Sequence, residues 1–214
     1  SNKFKIREIL GLDALSMLKD KGFLFFFIAS ILICIPLAFY YQHANQFLNE
    51  IGMKAAASKM ILGQISEVLF LLLLPLFIKR YGIKNALIVG ILAWGVRYML
   101  FAFGDTGVKS WMLIFGILLH GVCYDFFFVS GQIYTDFKAG EKYKSTAQGL
   151  ITLATYGLGM LIGFRFAGWL TDQYISDIGH LWKNIWIQPA IFSFVVLTLF
   201  LIFFKNETIK FKSL

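Results

Sequence analysis

Four ionisable side chains lie well inside long apolar stretches of this sequence: Glu67, Arg97, Asp125 and Arg165. At the centre of a membrane span such a residue costs about 2.5–3.5 kcal/mol or more, so it faces the interior of a helix bundle, where it pairs or lines a pathway. These side chains can form hydrogen bonds to a polar solute, form ion pairs and transfer protons. Arg165 lies nearer the end of its stretch, where its long side chain can reach the aqueous boundary, so we give it little functional weight.

Gln64 and Glu67 form the first candidate binding pair. They are three residues apart and therefore share a helix face, and Glu67 lies near the middle of its apolar stretch. The amide both donates and accepts hydrogen bonds, so the pair suits a polar, uncharged solute. The same two side chains would also serve as a hydrogen-bonded contact between helices, and the sequence leaves that alternative open.

Asp125 is the second buried acid, and it is followed by three phenylalanines. A ring such as Phe128 beside the carboxylate can stack on a flat ligand, or it can face lipid. Arg97 must be paired if it is buried, and we expect an Arg97–Asp125 pair, with Glu67 as the alternative partner. An acid that is charged on one side of the membrane and neutral on the other would couple proton flow to transport, so Asp125 and Glu67 are the candidates for proton coupling.

A polar stripe follows on a later apolar stretch, where Gln148, Thr152, Thr155 and Gly159 share one helix face. Small residues of this kind allow close packing between membrane helices. The stripe predicts either a tight helix contact or the wall of a polar cavity, and Gln148, Thr152 and Thr155 are the candidates for that wall.

The elements that position these residues follow from composition. The chain has 214 residues, of which 58% are hydrophobic and 15% charged, with a mean hydropathy of +0.72 and a net charge of +8. These values exclude disorder and indicate membrane spans, because soluble domains carry about 25% charge. Two cysteines cannot form a disulfide framework. The pattern contains no metal-ligand cluster, nucleic-acid groove or phosphate-binding glycine loop, so we expect neither an enzyme nor a cofactor.

Six apolar runs are long enough to cross a bilayer as helices. They cover residues 23–48, 55–78, 85–103, 110–135, 146–171 and 185–204. Most Lys and Arg residues lie before the first run, after the last one and in the second and fourth connections, which places both termini in the cytoplasm. The predicted organisation is an amphipathic cytoplasmic linker helix at 1–21, a six-helix bundle at 22–204 and a cytoplasmic tail at 205–214.

The loop KRYGIK at 79–84 resembles the short basic loop between the second and third helices of each half of the major facilitator superfamily. Four further segments resemble the nucleoside:proton symporter family: GQISE at 63–67, AWGVRY at 93–98, LHGVCYDFF at 119–127 and STAQGL at 145–150. The resemblance implies an all-α membrane protein whose six helices form the C-terminal half of a major facilitator superfamily fold. It also implies nucleoside binding by Gln64, Glu67, Asp125 and Phe126.

From this resemblance we expect proton-coupled nucleoside transport in a bacterial inner membrane, with the preceding six-helix half of the same polypeptide as a partner. Alternating access needs two bundles around a central site, so this half alone should not transport. Two alternatives stay open: a permease for another polar solute such as a sugar, and a membrane scaffold or sensor that does not transport.

Overall fold

The computed structural model describes residues 12–205, and their regular secondary structure is helical except for one small hairpin. The helices are α1 (Lys21–Glu50), α2 (Ala56–Tyr81), α3 (Ile83–Phe103), α4 (Ser110–Tyr124), α5 (Ser130–Thr152), α6 (Met160–Asp172) and α7 (Trp182–Phe203). A 3-10 helix (Leu12–Lys19) precedes α1, and π-helical turns (Asp125–Val129 and Leu153–Gly159) join α4 to α5 and α5 to α6. The hairpin pairs β1 (Ile175–Ser176) with β2 (Gly179–His180).

Five helices in this part of the chain are long and apolar enough to cross a membrane: α1, α2, α3, α7 and one continuous stretch of 63 residues, Ser110–Asp172. The prediction of six separate spans is therefore confirmed only as an all-helical bundle with five candidate membrane helices. The fourth and fifth predicted spans run together in this stretch, since the charged connection between them is helical as well.

The 63-residue stretch nevertheless folds back on itself at Gly140. There φ is +61°, which glycine adopts without the steric cost that a Cβ would bring. The hydroxyls of Tyr124 and Tyr156 lie 2.6 Å apart, whereas an uninterrupted helix would separate these residues by about 48 Å. Gln148 Nε2 donates to the carbonyl oxygen of Gln132 at 2.8 Å, which ties the two arms together nearer the turn.

The centre of the bundle is built on α1 and α3. In each of these helices, 61% of the residues in its apolar 18-residue segment are buried. The fully buried Tyr98 stacks on Trp186 of α7 at 5.3 Å, and its hydroxyl donates to the carbonyl oxygen of Pro36 in α1. By contrast, only 22% of the residues in the corresponding apolar segment of α2 are buried. Most of the apolar surface of α2 is therefore left for lipid or for another part of a larger protein.

Asp20 fixes the start of α1. Its carboxylate accepts from the backbone N–H of Phe23 at 2.8 Å, as an N-cap does, and lies 3.0 Å from Lys138 Nζ. Burial raises the pKa of Asp20, but the Phe23 amide and the Lys138 ammonium outweigh it and hold that pKa below its usual value. Residues 12–19 of the predicted linker helix form a 3-10 helix, and residues 1–11 of that linker lie outside the described part, as do residues 206–214 of the predicted tail.

The hairpin is attached to the far end of α1. The backbone N–H of His180 donates to Glu50 Oε1 at 2.8 Å, and His180 Nδ1 lies 2.8 Å from Glu50 Oε2. The imidazole stacks on Trp182 at the start of α7, with ring centroids 4.8 Å apart. One acid at a helix end thus holds the connection between α6 and α7 in place.

Candidate functional site

A close approach of two helices sets the position of Glu67. Gly121 on α4 donates its backbone N–H to Ser66 Oγ at 3.0 Å, and that hydroxyl donates to the carbonyl oxygen of Gly63 at 2.7 Å. A Cβ on Gly121 would lie 2.5 Å from the carbonyl carbon of Ser66 and 2.6 Å from the amide nitrogen of Glu67. The backbones of α2 and α4 are therefore in direct contact immediately beside Glu67. This contact fixes the position of the Glu67 backbone and so of the point where its side chain is attached.

Arg97, His120 and Glu67 form a line of polar groups across α3, α4 and α2. Arg97 is fully buried, and its Nη1 lies 3.2 Å from His120 Nδ1. The other ring nitrogen of His120, Nε2, lies 3.6 Å from Glu67 Oε2. The Arg97 guanidinium also sits over the ring of Tyr40 on α1, 3.5 Å from its centroid, which is a favourable contact for a desolvated cation.

The structure differs from the expected Arg97–Asp125 pair. Within the described part of the chain, Arg97 forms no ion pair with Asp125 or with Glu67, and its Nε and Nη2 have no hydrogen-bond partner. Asp125 lies five residues after His120, about 140° further round the helix, so turning His120 towards Arg97 turns Asp125 towards other neighbours. Asp125 is 1% exposed, and its Oδ2 has no hydrogen-bond partner.

Gln64 and Glu67, the predicted binding pair, are accessible in this bundle. Gln64 is exposed, and the side chain of Glu67 is 36% exposed. Phe126 lies elsewhere: its ring packs edge-on against Phe77 at 4.9 Å and lines an open, almost wholly apolar groove of about 440 Å³ beside α2. The structure therefore brings Gln64 and Glu67 to one face and places Phe126 in a packing contact.

The three candidates for a cavity wall have three different environments. Gln148 is partly buried, and its amide donates to Asp136 Oδ1 at 2.7 Å as well as to the Gln132 carbonyl, so it joins the two arms of the folded stretch. Thr155 is buried, and its hydroxyl donates to Ile151 O within its own helix. Thr152 is the exposed member of the three.

Aromatic side chains lie beside this polar line, and sequence reasoning selected Phe128 among them but neither Tyr124 nor Tyr156. Tyr124 is one turn after His120, with ring centroids 6.1 Å apart, and its hydroxyl is hydrogen bonded to that of Tyr156, which is 43% exposed. Phe128 packs on both tyrosine rings, at 5.3 and 6.2 Å. Tyr156 and Phe128 both belong to the π-helical turns, and such turns occur often at functional sites. Flat rings of this kind can stack on a planar molecule.

A family model matches nearly the whole of this chain. The model of the family described as nucleoside H+ symporter matches residues 1–209. The chain belongs to the nucleoside H+ symporter family. A family of symporters consists of transporters and not of enzymes, as the sequence predicts.

The relatives of this symporter chain are transporters and permeases by name. It is 43% identical to the putative nucleoside transporter YegT of Escherichia coli over 97% of its length and 51% of that protein. It is 32% identical to the nucleoside permease NupG of Escherichia coli, over 94% of this chain and 51% of that one. The xanthosine permease of the same organism is 28% identical over 92% of this chain and 50% of the permease.

The fold is that of a solved transporter. A crystal structure of a mutant of the nucleoside transporter NupG superposes with a TM-score of 0.88 at 30% identity, over 96% of this chain and 54% of that one. A second NupG structure gives a TM-score of 0.83 at 31% identity, over 97% and 54%. The chain thus spans about half the length of the relatives and structures that it matches.

Proposed function

We propose that this chain is the C-terminal half of a proton-coupled nucleoside transporter of the major facilitator type. In this proposal residues 22–204 cross a bacterial inner membrane six times, because the stretch Ser110–Asp172 contributes two crossings that meet at Gly140. Residues 1–21 form the cytoplasmic linker from a preceding six-helix half, and residues 205–214 form a cytoplasmic tail. The excess of Lys and Arg on one side supports cytoplasmic termini.

The observation that carries the proposal is the accessible polar face of α2. Gln64 and Glu67 project from the least buried helix of the bundle, at mid-span, where a charge facing lipid costs several kcal/mol. A face of this kind is stable where it borders a water-filled cavity between two bundles. Transporter binding sites lie at the bilayer midplane, between two such repeats.

The chemistry of this face suits a nucleoside. Glu67 accepts hydrogen bonds from ribose hydroxyls or from the N–H groups of a base, and Gln64 both donates and accepts. The rings of Tyr124, Phe128 and Tyr156 pack on one another and would receive the planar base. Names of the relatives point to the same class of solute. A sugar could use the hydrogen bonds but has no planar group for the rings.

Proton coupling is assigned to Asp125 and Glu67. Asp125 is nearly inaccessible in the present conformation, and its Oδ2 lacks a partner, so leaving it ionised there costs free energy that binding a proton would reduce. A change of conformation that opens Asp125 to water would release that proton. Glu67 is the more accessible of the two acids, and we place it in solute binding with a share in coupling.

The test uses the full-length protein in proteoliposomes. Adding nucleoside should drive proton uptake into the vesicles, and Glu67→Gln should abolish it, because the amide cannot carry a proton or match the acid as an acceptor. Glu141→Gln removes an exposed acid next to the turn at Gly140 and serves as the matched control. Vesicles that contain residues 1–214 alone should show no uptake.

Two results would contradict the proposal in different ways. Normal uptake by Glu67→Gln and Asp125→Asn, accompanied by poor expression, would assign both acids to assembly and favour a scaffold or sensor. Uptake of sugars in preference to nucleosides would retain a transporter but change its solute. A thermal-shift panel of nucleosides and sugars separates these solutes before any transport assay, because a ligand stabilises the state that binds it.

A further inference from the structure

His120 occupies a position that its two nitrogens define chemically. Arginine has N–H donors and no acceptor, so the His120 Nδ1 that faces Arg97 Nη1 at 3.2 Å must offer a lone pair. The neutral ring then carries its proton on Nε2, and that nitrogen is the one facing Glu67 Oε2 at 3.6 Å. The buried arginine therefore determines which group on the ring points at the acid.

We infer that His120 is a positioning residue for the solute site: Arg97 fixes its tautomer, and its Nε2–H then orients the carboxylate of Glu67. The gap of 3.6 Å is slightly longer than a hydrogen bond and closes with a small rotation of the Glu67 side chain. This inference rests on the proposed function, because it assigns to His120 a role in binding through Glu67 and not through direct contact with the solute.

The other neighbours of the imidazole hold its plane without competing for its nitrogens. Tyr40 of α1 stacks on it with ring centroids 5.3 Å apart, and the Tyr124 ring lies at 6.1 Å. The charged and titratable groups that face His120 are thus Arg97 from α3, Glu67 from α2, Tyr40 from α1 and Tyr124 from its own helix. Among them only the carboxylate of Glu67 is an anion that can accept from Nε2.

Two substitutions separate the two sides of the ring. In His120→Asn the side-chain oxygen replaces Nδ1 and can still accept from Arg97, but nothing reaches Glu67. In His120→Gln the side-chain nitrogen replaces Nε2 and can still donate to Glu67, but Arg97 loses its acceptor. His120→Phe keeps the ring and loses both contacts. His43→Asn changes the other buried histidine, on α1, and is the matched control.

The two measurements on the full-length protein should rank His120→Asn and His120→Gln in opposite orders, whereas His120→Phe should lose in both. Nucleoside affinity should fall about tenfold in His120→Asn and His120→Phe, and much less in His120→Gln, because a hydrogen bond to a charged group is lost in the first two only. Thermal stability without nucleoside should fall most in His120→Gln and His120→Phe, where the buried Arg97 has no acceptor. His43→Asn should lower stability and leave affinity unchanged. If affinity simply follows stability across the set, His120 is structural and the inference is wrong.

The tautomer can be read without any solute. In the full-length protein labelled with 15N-histidine, the signals missing in His120→Asn belong to His120, and we expect an unprotonated Nδ1 and a protonated Nε2. The reverse tautomer would overturn the inference even if nucleosides are transported. If the tautomer is as expected but the protein binds no nucleoside, the proposed function is wrong, and so is the role of His120 in binding. Only the inference that His120 orients the Glu67 carboxylate would then stand.

Discussion

Gly121→Ala tests whether the contact between α2 and α4 positions the candidate site. The added Cβ would lie 2.5 Å from the Ser66 carbonyl carbon and 2.6 Å from both the Ser66 oxygen and the Glu67 nitrogen, whereas ordinary contacts begin at 3.4 Å. All three atoms belong to the backbone and cannot rotate away. The helices must therefore separate by roughly 1 Å, and overpacking of this kind costs about 1–3 kcal/mol of the free energy of unfolding.

The same shift should weaken binding, because the peptide group that moves carries Glu67. A displacement of about 1 Å is comparable to the tolerance within which binding groups must be held, so we expect nucleoside affinity to fall by about tenfold or more. Unfolding of the full-length protein in mild detergent, followed by circular dichroism, gives the stability, and equilibrium binding of radiolabelled nucleoside gives the affinity.

Gly149→Ala is the matched control, because no atom lies within 4 Å of the Cβ that it would add to α5. This change should raise stability by about 0.5–1 kcal/mol, since alanine restricts the unfolded chain more than glycine does. If Gly121→Ala matches this control in both stability and affinity, the close approach does not position Glu67 and the reasoning fails.

Three further predictions concern polar contacts outside and inside the bundle. Ser66→Ala should cost about 0.5–1.5 kcal/mol in chemical unfolding, because it removes the hydrogen bond from the Gly121 N–H between α4 and α2, and an unchanged free energy of unfolding would contradict this. Asp20→Ala should destabilise by about 1 kcal/mol while Asp20→Asn, which can still cap the helix, loses only the attraction to Lys138. Because the native pKa of Asp20 lies below its unfolded value, this contribution is present at neutral pH and should disappear as the pH falls through the lowered pKa, and equal pH profiles in wild type and Asp20→Asn would contradict it. Glu50→Gln should cost less than about 1 kcal/mol but speed proteolysis of the hairpin that carries His180, and unchanged cleavage there would show that the ion pair does not hold it.

The membrane helices could be predicted from the sequence because length and hydropathy determine them almost alone. The predicted runs agree with the helices of the structure to within a few residues at most ends. The charged residues near residue 140 correctly located the connection between the fourth and fifth predicted spans. They did not indicate how short the turn there is. A single glycine with positive φ is enough to reverse the chain there, and the polar residues around it remain helical. Composition indicates where a turn lies and not how few residues it uses.

The candidate site was only partly predictable, for two physical reasons. Partners on different helices, such as Arg97 and His120, depend on how the helices pack, and spacing within one helix carries no information about that. The π-helical turn that begins at Asp125 also changes the number of residues per turn. A count of 100° per residue therefore does not hold through this turn. The family resemblance indicated Phe126, but Phe128, which the sequence also suggested as a stacking ring, is the one that lies against the tyrosines.

The distribution of burial along α2 argues for a second half on physical grounds. This helix combines a large exposed apolar surface with Gln64 and Glu67 at mid-span. Lipid could cover the apolar surface at no cost, but it would leave an acid and an amide without hydrogen-bond partners, which costs several kcal/mol. Water confined between two bundles solvates both polar groups, and a facing bundle covers the apolar residues beside them. The polar pair is therefore stable where α2 faces water, which supports the proposal that a second bundle supplies the opposite wall; the chain spans about half the length of the nucleoside transporters that it matches.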